Sequence, residues 1–420
     1  MNLLVPVYLR EKRNDEAFAT IKRLTSSIPH ELVHPILILD LAQEFSKDAQ
    51  FQEVIDIFTM FLGNINRFWD KDKQVLAYRM YGMGYINLTE YEKATTFPHK
   101  ALSITEDPST KVDVLGDLAF MQKTKCNYGD ALAILNQALN IISAESGERN
   151  KSKDWSEQTA SIHGRLGDVL SDWGECDLEA LDCYECALGI TKEHDHGDAR
   201  NLASFYLGLG LVHARLGNWD EAMKALKLAI RNNEAEHDGW NATKATRIYP
   251  TFCDQIWRVL LDQYCSDDRL LHDTQEREKI LKEVELFSKR SIENCPSCEA
   301  YLNYAQANYF LGKIEDANFL LYMCVEFEMQ KEGVQCRSCF RQAVTGAKMK
   351  TCKICEVVDY CSKAHQRLAW RRGRLSHKVM CPFLKRYRMV AKAANPIDTE
   401  PFEDFCKEFF ETVCVLKYEV

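Results

Sequence analysis

Small residues recur at fixed intervals through the first three quarters of this chain, and that recurrence leaves little freedom in what those residues can build. In 210–230 the order is Gly210, His213, a turn at Leu216-Gly217-Asn218-Trp219, then Ala222, Leu226 and Ala229. Apolar periodicity on both sides of the turn is helical, and small residues at Gly210 and Ala222 let two helices approach closely as a hairpin. The skeleton repeats at Gly82, Tyr85, Ala94 and Ala101 with Tyr91 at the turn, at Ala131/Ala138 and Ala180/Ala187, and at Ala317/Cys324 with Leu311-Gly312 at its turn. Weaker copies centre on Ala17/Leu24, Val54/Phe61 and Val284/Ser291. The first residue of each pair is its anchor, and successive anchors lie 37, 40, 37, 49, 42, 62 and 33 residues apart. The wide intervals predict longer helices or inserted loops near 143–155 and 234–274. One such hairpin cannot bury its own apolar stripe, so about eight are expected to stack into a solenoid with a concave groove.

This order resembles the tetratricopeptide repeat, a helix-turn-helix unit of about 34 residues, and the lengthened units resemble those of kinesin light chains. The resemblance covers roughly residues 10–328 and implies a groove that binds peptide or helical segments of other proteins. Some members of that family clamp a partner's terminal carboxylate with Lys and Asn on successive first helices. The Asn position here holds Met83 and Leu211, with Gln43 and Gln306 elsewhere, so the pattern is absent.

Only 19 Gly and 10 Pro in 420 residues exclude collagen-like and turn-rich all-β designs. The most apolar run, near 32–41, is broken by His34, Pro35 and Asp40, too short for a membrane helix. The segment 1–9 contains Pro6 and lacks the leading charge and cleavage site of a signal peptide. Cytoplasm or nucleus is the expected location, with no membrane partner. The net charge of −9 is uneven: 331–388 carries 15 Lys and Arg against three acidic residues, a local +12, and the remainder carries −21.

The 17 cysteines are also uneven, six of them falling between 336 and 381. In a chain without a secretory signal, such density reads as metal binding rather than disulfide bridging. The order is Cys336-x2-Cys339-x12-Cys352-x2-Cys355-x5-Cys361-x3-His365-x11-His377-x3-Cys381. Eight thiol or imidazole ligands in four close pairs suit two tetrahedral Zn²⁺ ions. With every position filled by protein these are structural sites, and zinc replaces a core that some 50 residues could hardly build. Several pairings of the eight satisfy the spacing alone.

The pattern, with Val358, Tyr360, Ser362, Gln366 and Trp370, resembles the MYND-type zinc finger. That resemblance implies interleaved pairs: one zinc on Cys336, Cys339, Cys361 and His365, the other on Cys352, Cys355, His377 and Cys381. It departs from the family at His365, where Cys is usual, in the spacing from Cys339 to Cys352, and in an insertion at 371–376. Ser362 is placed to cap a short helix reaching Trp370, which sets Gln366 and Trp370 on one face. In related fingers these positions flank a groove for proline-rich segments of the Pro-x-Leu-x-Pro type; the alternative is that Trp370 fills the finger's small core.

Two further cysteine pairs read as structural. Cys183 and Cys186 lie three apart in a helical stretch, where free cysteine acts as a small hydrophobe. Cys295-Pro296-Ser297-Cys298 resembles a redox motif, but Pro296 falls where the repeat places its inter-repeat proline and no βαβ pattern surrounds it. The basic residues Arg371, Arg372, Arg374, Lys385, Arg386 and Arg388 raise the question of nucleic acid, yet no base-reading helix signature accompanies them. Beyond 391, Phe402, Phe405, Cys406, Phe409, Phe410, Val413 and Cys414 sit at helical spacing, predicting a helix that packs on the finger or the array.

The enzyme alternative is a SET-domain lysine methyltransferase, a family that combines SET, this finger and tetratricopeptide-like helices. There the finger interrupts a SET domain near the N-terminus; here the helices come first, and no Asn-His-Ser-Cys-like segment or phosphate loop is present. The sequence therefore predicts an all-α, tetratricopeptide-like solenoid (1–328), a small two-zinc MYND-type finger (331–390) and a C-terminal helical tail (391–420). The predicted role is a non-catalytic adaptor, with a single-partner scaffold capped by the finger as its rival and a nucleic-acid-associated regulator third.

Overall fold

A computed structural model describes residues 4–11, 13–27, 33–47, 50–88, 90–146, 154–193, 199–235, 259–260, 263, 274–294, 298–330, 350–355, 359–360, 363, 366–367, 370, 381–382, 385, 406–407 and 410. The chain divides into two compact units, Met1–Gln158 with Cys339–Lys348, and Thr159–Ser338 with Met349–Val420. The division falls within the helical array.

In the first unit, α1 (Leu4–Arg10) and α2 (Asn14–Ser27), α3 (Pro35–Lys47) and α4 (Phe51–Phe68), α5 (Lys71–Asn87) and α6 (Tyr91–Ile104), and α7 (Pro108–Thr124) and α8 (Tyr128–Glu145) follow one another as hairpins. Local chemistry sets the starts. Asp70 accepts from the Lys73 backbone N–H at 2.9 Å, and Asp107, followed by Pro108, accepts from that of Thr110 at 2.8 Å. One buried cluster runs from Val5 to Leu118 through Phe45, Phe58, Phe61 and Tyr81. Neighbouring first helices are tied by Arg79 of α5, which donates from Nε to Asp117 of α7 at 2.7 Å, with Asp113 at 3.4 Å.

The second unit takes in α9 (Ser156–Trp173) from Thr159 onward and α10 (Asp177–Glu193), α11 (Ala199–Arg215) and α12 (Trp219–Ala235), then α13 (Thr274–Asn294), α14 (Cys298–Phe310) and α15 (Ile314–Gln330). A short antiparallel pair, β1 (Lys350–Thr351) with β2 (Asp359–Tyr360), follows. The described part of the long insert before α13 is helical, and its Val259 and Leu260 are buried with Ala222, Leu226, Val284 and Ala307. No described helix is long and apolar enough to cross a membrane.

The periodic small residues hold these hairpins shut. All eight anchors, Ala17, Val54, Ala94, Ala131, Ala180, Ala222, Val284 and Ala317, are 0% exposed. All but Val284 occupy the fourth residue of the second helix of their hairpin. The partner position explains Gly210: a Cβ there would lie 3.1 Å from the Ala222 carbonyl oxygen and 2.7 Å from Leu226 Cγ. At Gly82 a Cβ would meet the Ala94 carbonyl at 2.9 Å and the Pro98 ring at 2.7 Å, so the missing side chain also makes room for a proline inside α6.

The turns repeat too. After α11, Gly217 (φ 77°) donates to Ala214 O and Asn218 to His213 O; after α14, Gly312 (φ 76°) and Lys313 do the same to Tyr309 and Asn308. After α7 the equivalent bonds run from Cys126 to Lys123 O and from Asn127 to Gln122 O, with Cys126 at φ 63°. Only glycine adopts this left-handed conformation without steric cost. Cys126→Gly is therefore expected to stabilise the first unit by about 1 kcal/mol, read as an upward shift in its urea midpoint; a drop in that midpoint would show that the Cys126 side chain contributes more than its backbone strain costs.

His163 on α9 has a buried Nδ1 without a hydrogen-bond partner, and burial lowers its pKa below the ordinary value. The unfolded chain then takes up the proton first on acidification. The contribution to stability is complete above pH about 6.5 and declines as pH falls through that value. His163→Gln should flatten the loss of stability between pH 7.5 and 5.5, as compared by urea unfolding at the two pH values; an unchanged pH dependence would remove His163 as its source.

Candidate metal centre

The β-hairpin is a frame for cysteines. β1 leads directly into Cys352, a turn through Lys353 and Ile354 carries the chain to Cys355, and β2 ends at Tyr360 just before Cys361. Tyr360 is fully buried, while Lys353 and Ile354 at the tip are exposed. Cys381, at the start of a helical step with Pro382, completes a buried group with Cys352 and Cys355. Their ligand atoms all lie within 4.8 Å of one another.

The geometry fits a metal and not a disulfide. Cys352 Sγ and Cys381 Sγ are 3.8 Å apart, against about 2.05 Å for a bonded pair. A tetrahedron of Zn–S bonds of about 2.3 Å has S···S edges of roughly 3.8 Å. Without a cation these thiols oppose one another. At Cys381, burial and then the charges of Cys355 and Cys352 push the pKa up to about 12. At Cys352 burial works in the same direction, but the backbone N–H groups of Cys355 and Ile354 and the Cys381 thiol outweigh it, and the pKa is lowered. A divalent cation among three buried thiolates removes the repulsion, and this is the donor chemistry zinc prefers.

Of the eight ligands predicted from sequence, the structure brings Cys352, Cys355 and Cys381 together. Cys336, Cys339, Cys361, His365 and His377 lie outside the described residues, as do Ser362 and the basic residues Arg371, Arg372, Arg374, Arg386 and Arg388. Gln366 and Trp370 are both helical and half-buried, one turn apart, as the spacing predicts. Lys363 and Arg367 on the same stretch are exposed.

The other cysteine pairs divide. Cys183 on α10 is half-buried, and desolvation first, then the neighbouring Cys186, raises its pKa to about 11. Cys186 is exposed, so it does not act as the small hydrophobe expected at that position. The inward face of α10 is taken by Ala180, Tyr184 and Ala187, and Cys186 falls off it. Cys298 opens α14, and Cys295, Pro296 and Ser297 lie outside the described residues.

Comparison with known proteins agrees with the thiol geometry: residues 336–381 match the family model of the MYND finger. This segment is a MYND zinc finger. Among curated proteins, a hypoxia-inducible factor prolyl hydroxylase from Caenorhabditis elegans is 38% identical over 63 residues. That match takes in 15% of this chain and 8% of the relative, so the chain spans a small part of the protein it resembles. Among solved structures, the chain is similar to the apo quorum sensor NprR from B. thuringiensis, at 15% identity and a TM-score of 0.49, covering 78% of this chain and 86% of that one. It is also similar to a Rap protein complexed with competence and sporulation factor, at 13% identity and a TM-score of 0.45, covering 75% and 80%. A TPR repeat-containing protein from Cytophaga hutchinsonii is 12% identical, with a TM-score of 0.40 and 70% and 99% coverage. Likenesses at that level carry no ligand or activity across.

Two features escaped the sequence reading. The β-hairpin is only two residues per strand, below the length at which alternation is visible. The second is on α14. The Tyr309 ring stacks on Phe410, with centroids 4.4 Å apart and planes 13° from parallel. Helical spacing in the tail predicted packing on the finger or the array without choosing between them; this contact is with the array.

Proposed function

We propose that the chain is a non-catalytic protein-interaction adaptor. Its finger, 331–390, holds two zinc ions: Cys352, Cys355, His377 and Cys381 bind one, and Cys336, Cys339, Cys361 and His365 the other. Both are structural, because each ion is closed by four protein ligands. The finger and the helical array (1–328) bind different segments of partner proteins, and the tail (391–420) packs on the array. The observation that carries this reading is the buried thiol cluster of Cys352, Cys355 and Cys381, which spends its donors on holding the β-hairpin and leaves recognition to the surface around it.

At that surface Gln366 and Trp370 are the proposed groove for proline-rich segments of the Pro-x-Leu-x-Pro type. The half-buried state of Trp370 supports this, since part of the side chain stays available for contact. An aromatic face accepts a preformed polyproline helix, and a neighbouring amide anchors its backbone. The test is titration of Pro-x-Leu-x-Pro peptides into the zinc-loaded full chain and its Gln366→Ala and Trp370→Ala variants. Saturable binding weakened at least tenfold in both variants is expected. Absence of binding by the zinc-loaded chain would reduce the finger to a cap on the array.

A further inference from the structure

One hairpin departs from the others at its turn. Two residues before the anchor Ala180 stands Leu178, which is 64% exposed. At the other anchors that place is held by residues such as Asp15, Glu92, Asp220 and Glu315, and by no large apolar one. Seven residues before Ala180 stands Trp173, 41% exposed, where other hairpins carry Arg10, Asn87 and Arg215. Phe310, the only other aromatic at that place, packs against the cluster of Ala222, Val284 and Ala307. Trp173 closes α9 and Leu178 lies in the first turn of α10, so the two flank a turn of three residues.

The repeat does not require apolar side chains at either place, since its sister hairpins close with polar ones. A single exposed leucine is ordinary on a protein surface. A tryptophan and a leucine at one turn, both where polar residues suffice, mark a surface that is covered in use. The charge around them says by what. Between Arg165 and Lys192 the chain holds seven Asp and Glu and no Lys or Arg. Asp177 is taken by Arg215 of α11, at 2.6 Å. Glu175, Glu179, Asp182 and Glu185 are exposed and have no ion pair among the described residues. Leu178, Asp182 and Glu185 follow one another along the outer face of α10, opposite the buried Ala180, Tyr184 and Ala187.

We infer that the α9–α10 turn is a docking site for a basic segment of a partner protein. The segment places an apolar anchor, Leu or an aromatic residue, at Trp173 and Leu178, and its Lys or Arg residues meet the carboxylates along α10. The apolar pair supplies affinity, and the unpaired carboxylates supply attraction and selectivity. A second copy of this face would bring its own carboxylates against these and be repelled. The inference rests on the reading of the array as a partner-binding surface, and it names the face and the chemistry of the partner.

Short fluorescent peptides with one Trp or Leu followed by a run of Lys and Arg test this on the zinc-loaded full chain. Trp173→Asn and Leu178→Glu install what the Ala94 hairpin carries at the same two places, Asn87 and Glu92, so the urea midpoint should not fall. The wild type is expected to bind saturably, each variant at least tenfold more weakly. The added charge of Leu178→Glu by itself favours a basic peptide, so a loss there reads the apolar anchor. Glu175→Gln with Glu179→Gln should weaken binding and flatten its dependence on salt, and Trp370→Ala should bind as the wild type does. Equal binding by the wild type, Trp173→Asn and Leu178→Glu would overturn the site while leaving the array a partner-binding surface. Absence of binding by every peptide, equal binding of peptides with Glu in place of the bases, or a lowered urea midpoint in Leu178→Glu would overturn it too. So would a wild-type dimer in sedimentation velocity that Leu178→Glu dissociates, which would name a second copy as the occupant. None of these results bears on Pro-x-Leu-x-Pro binding at the finger, which tests the adaptor reading separately.

Discussion

Replacing Cys381 with serine should remove one zinc ion from the chain and melt the hairpin of β1 and β2, while α1–α15 keep their structure. Cys381 is buried against Cys352 and Cys355, within the 4.8 Å that encloses all three ligand atoms. A serine hydroxyl is a far poorer zinc ligand than a thiolate at neutral pH, and it would leave two buried thiols without a cation to neutralise them. Structural zinc supplies about 10–16 kcal/mol of apparent folding free energy in isolated fingers. A module of some 50 residues with strands two residues long has no comparable reserve. Metal analysis should show the loss of one zinc equivalent, and hydrogen exchange should show β1 and β2 unprotected. Serine at Cys352 should behave alike. A variant that kept its full zinc content would show that Cys381 is not a ligand and that the thiol cluster has another purpose.

Tyr184→Ala should cost the second unit about 3–5 kcal/mol, the range for removing a large buried aromatic side chain. Tyr184 is 2% exposed and packs with Ala160, Ala187, Phe205 and Val212. Its ring lies against two glycines, Gly208 on α11 and Gly167 on α9, where an added Cβ would come within 2.8 Å of Tyr184 Cε1 at Gly167 and would collide at Gly208. The ring therefore fills space that two neighbouring helices have left open for it, and alanine would leave a cavity lined by backbone that cannot collapse easily. Its hydroxyl donates to Asp168 at 2.7 Å. Because Asp168 is exposed, Tyr184→Phe should cost only about 1 kcal/mol or less. Urea unfolding followed by hydrogen exchange separates the units: the loss should appear in α9–α12, with α1–α7 unchanged. Similar costs for alanine and phenylalanine would place the energy in the hydroxyl and contradict the packing account.

Much of this architecture could be read before any coordinates because one constraint repeats. Two helices in close contact need a small residue or a glycine where they touch, and Gly82 with Ala94 and Gly210 with Ala222 show the contact directly. The metal site was legible for a similar reason. Thiol ligands must come in close pairs from tight turns, and Cys352 and Cys355 flank such a turn. Where no repeat constrained the chain, sequence was less informative. The insert before α13 was visible only as a wide interval, and its buried Val259 and Leu260 were not foreseen. Cys186 sits three residues after Cys183 on a helix whose buried face is carried by Ala180, Tyr184 and Ala187, so periodicity alone did not separate the half-buried cysteine from the exposed one. The stacking of Phe410 on Tyr309 joins residues a hundred positions apart, and no local pattern encodes such a contact.

The finger is proposed to be a recognition surface in its own right, separate from the array. Hydrogen exchange of the zinc-loaded full chain, with and without a saturating Pro-x-Leu-x-Pro peptide, addresses this most directly. New protection confined to the finger, centred on 363–370 and the β-hairpin, with α1–α15 unchanged, is the predicted result. Protection appearing in the helical array instead, or no change anywhere at peptide saturation, would contradict it.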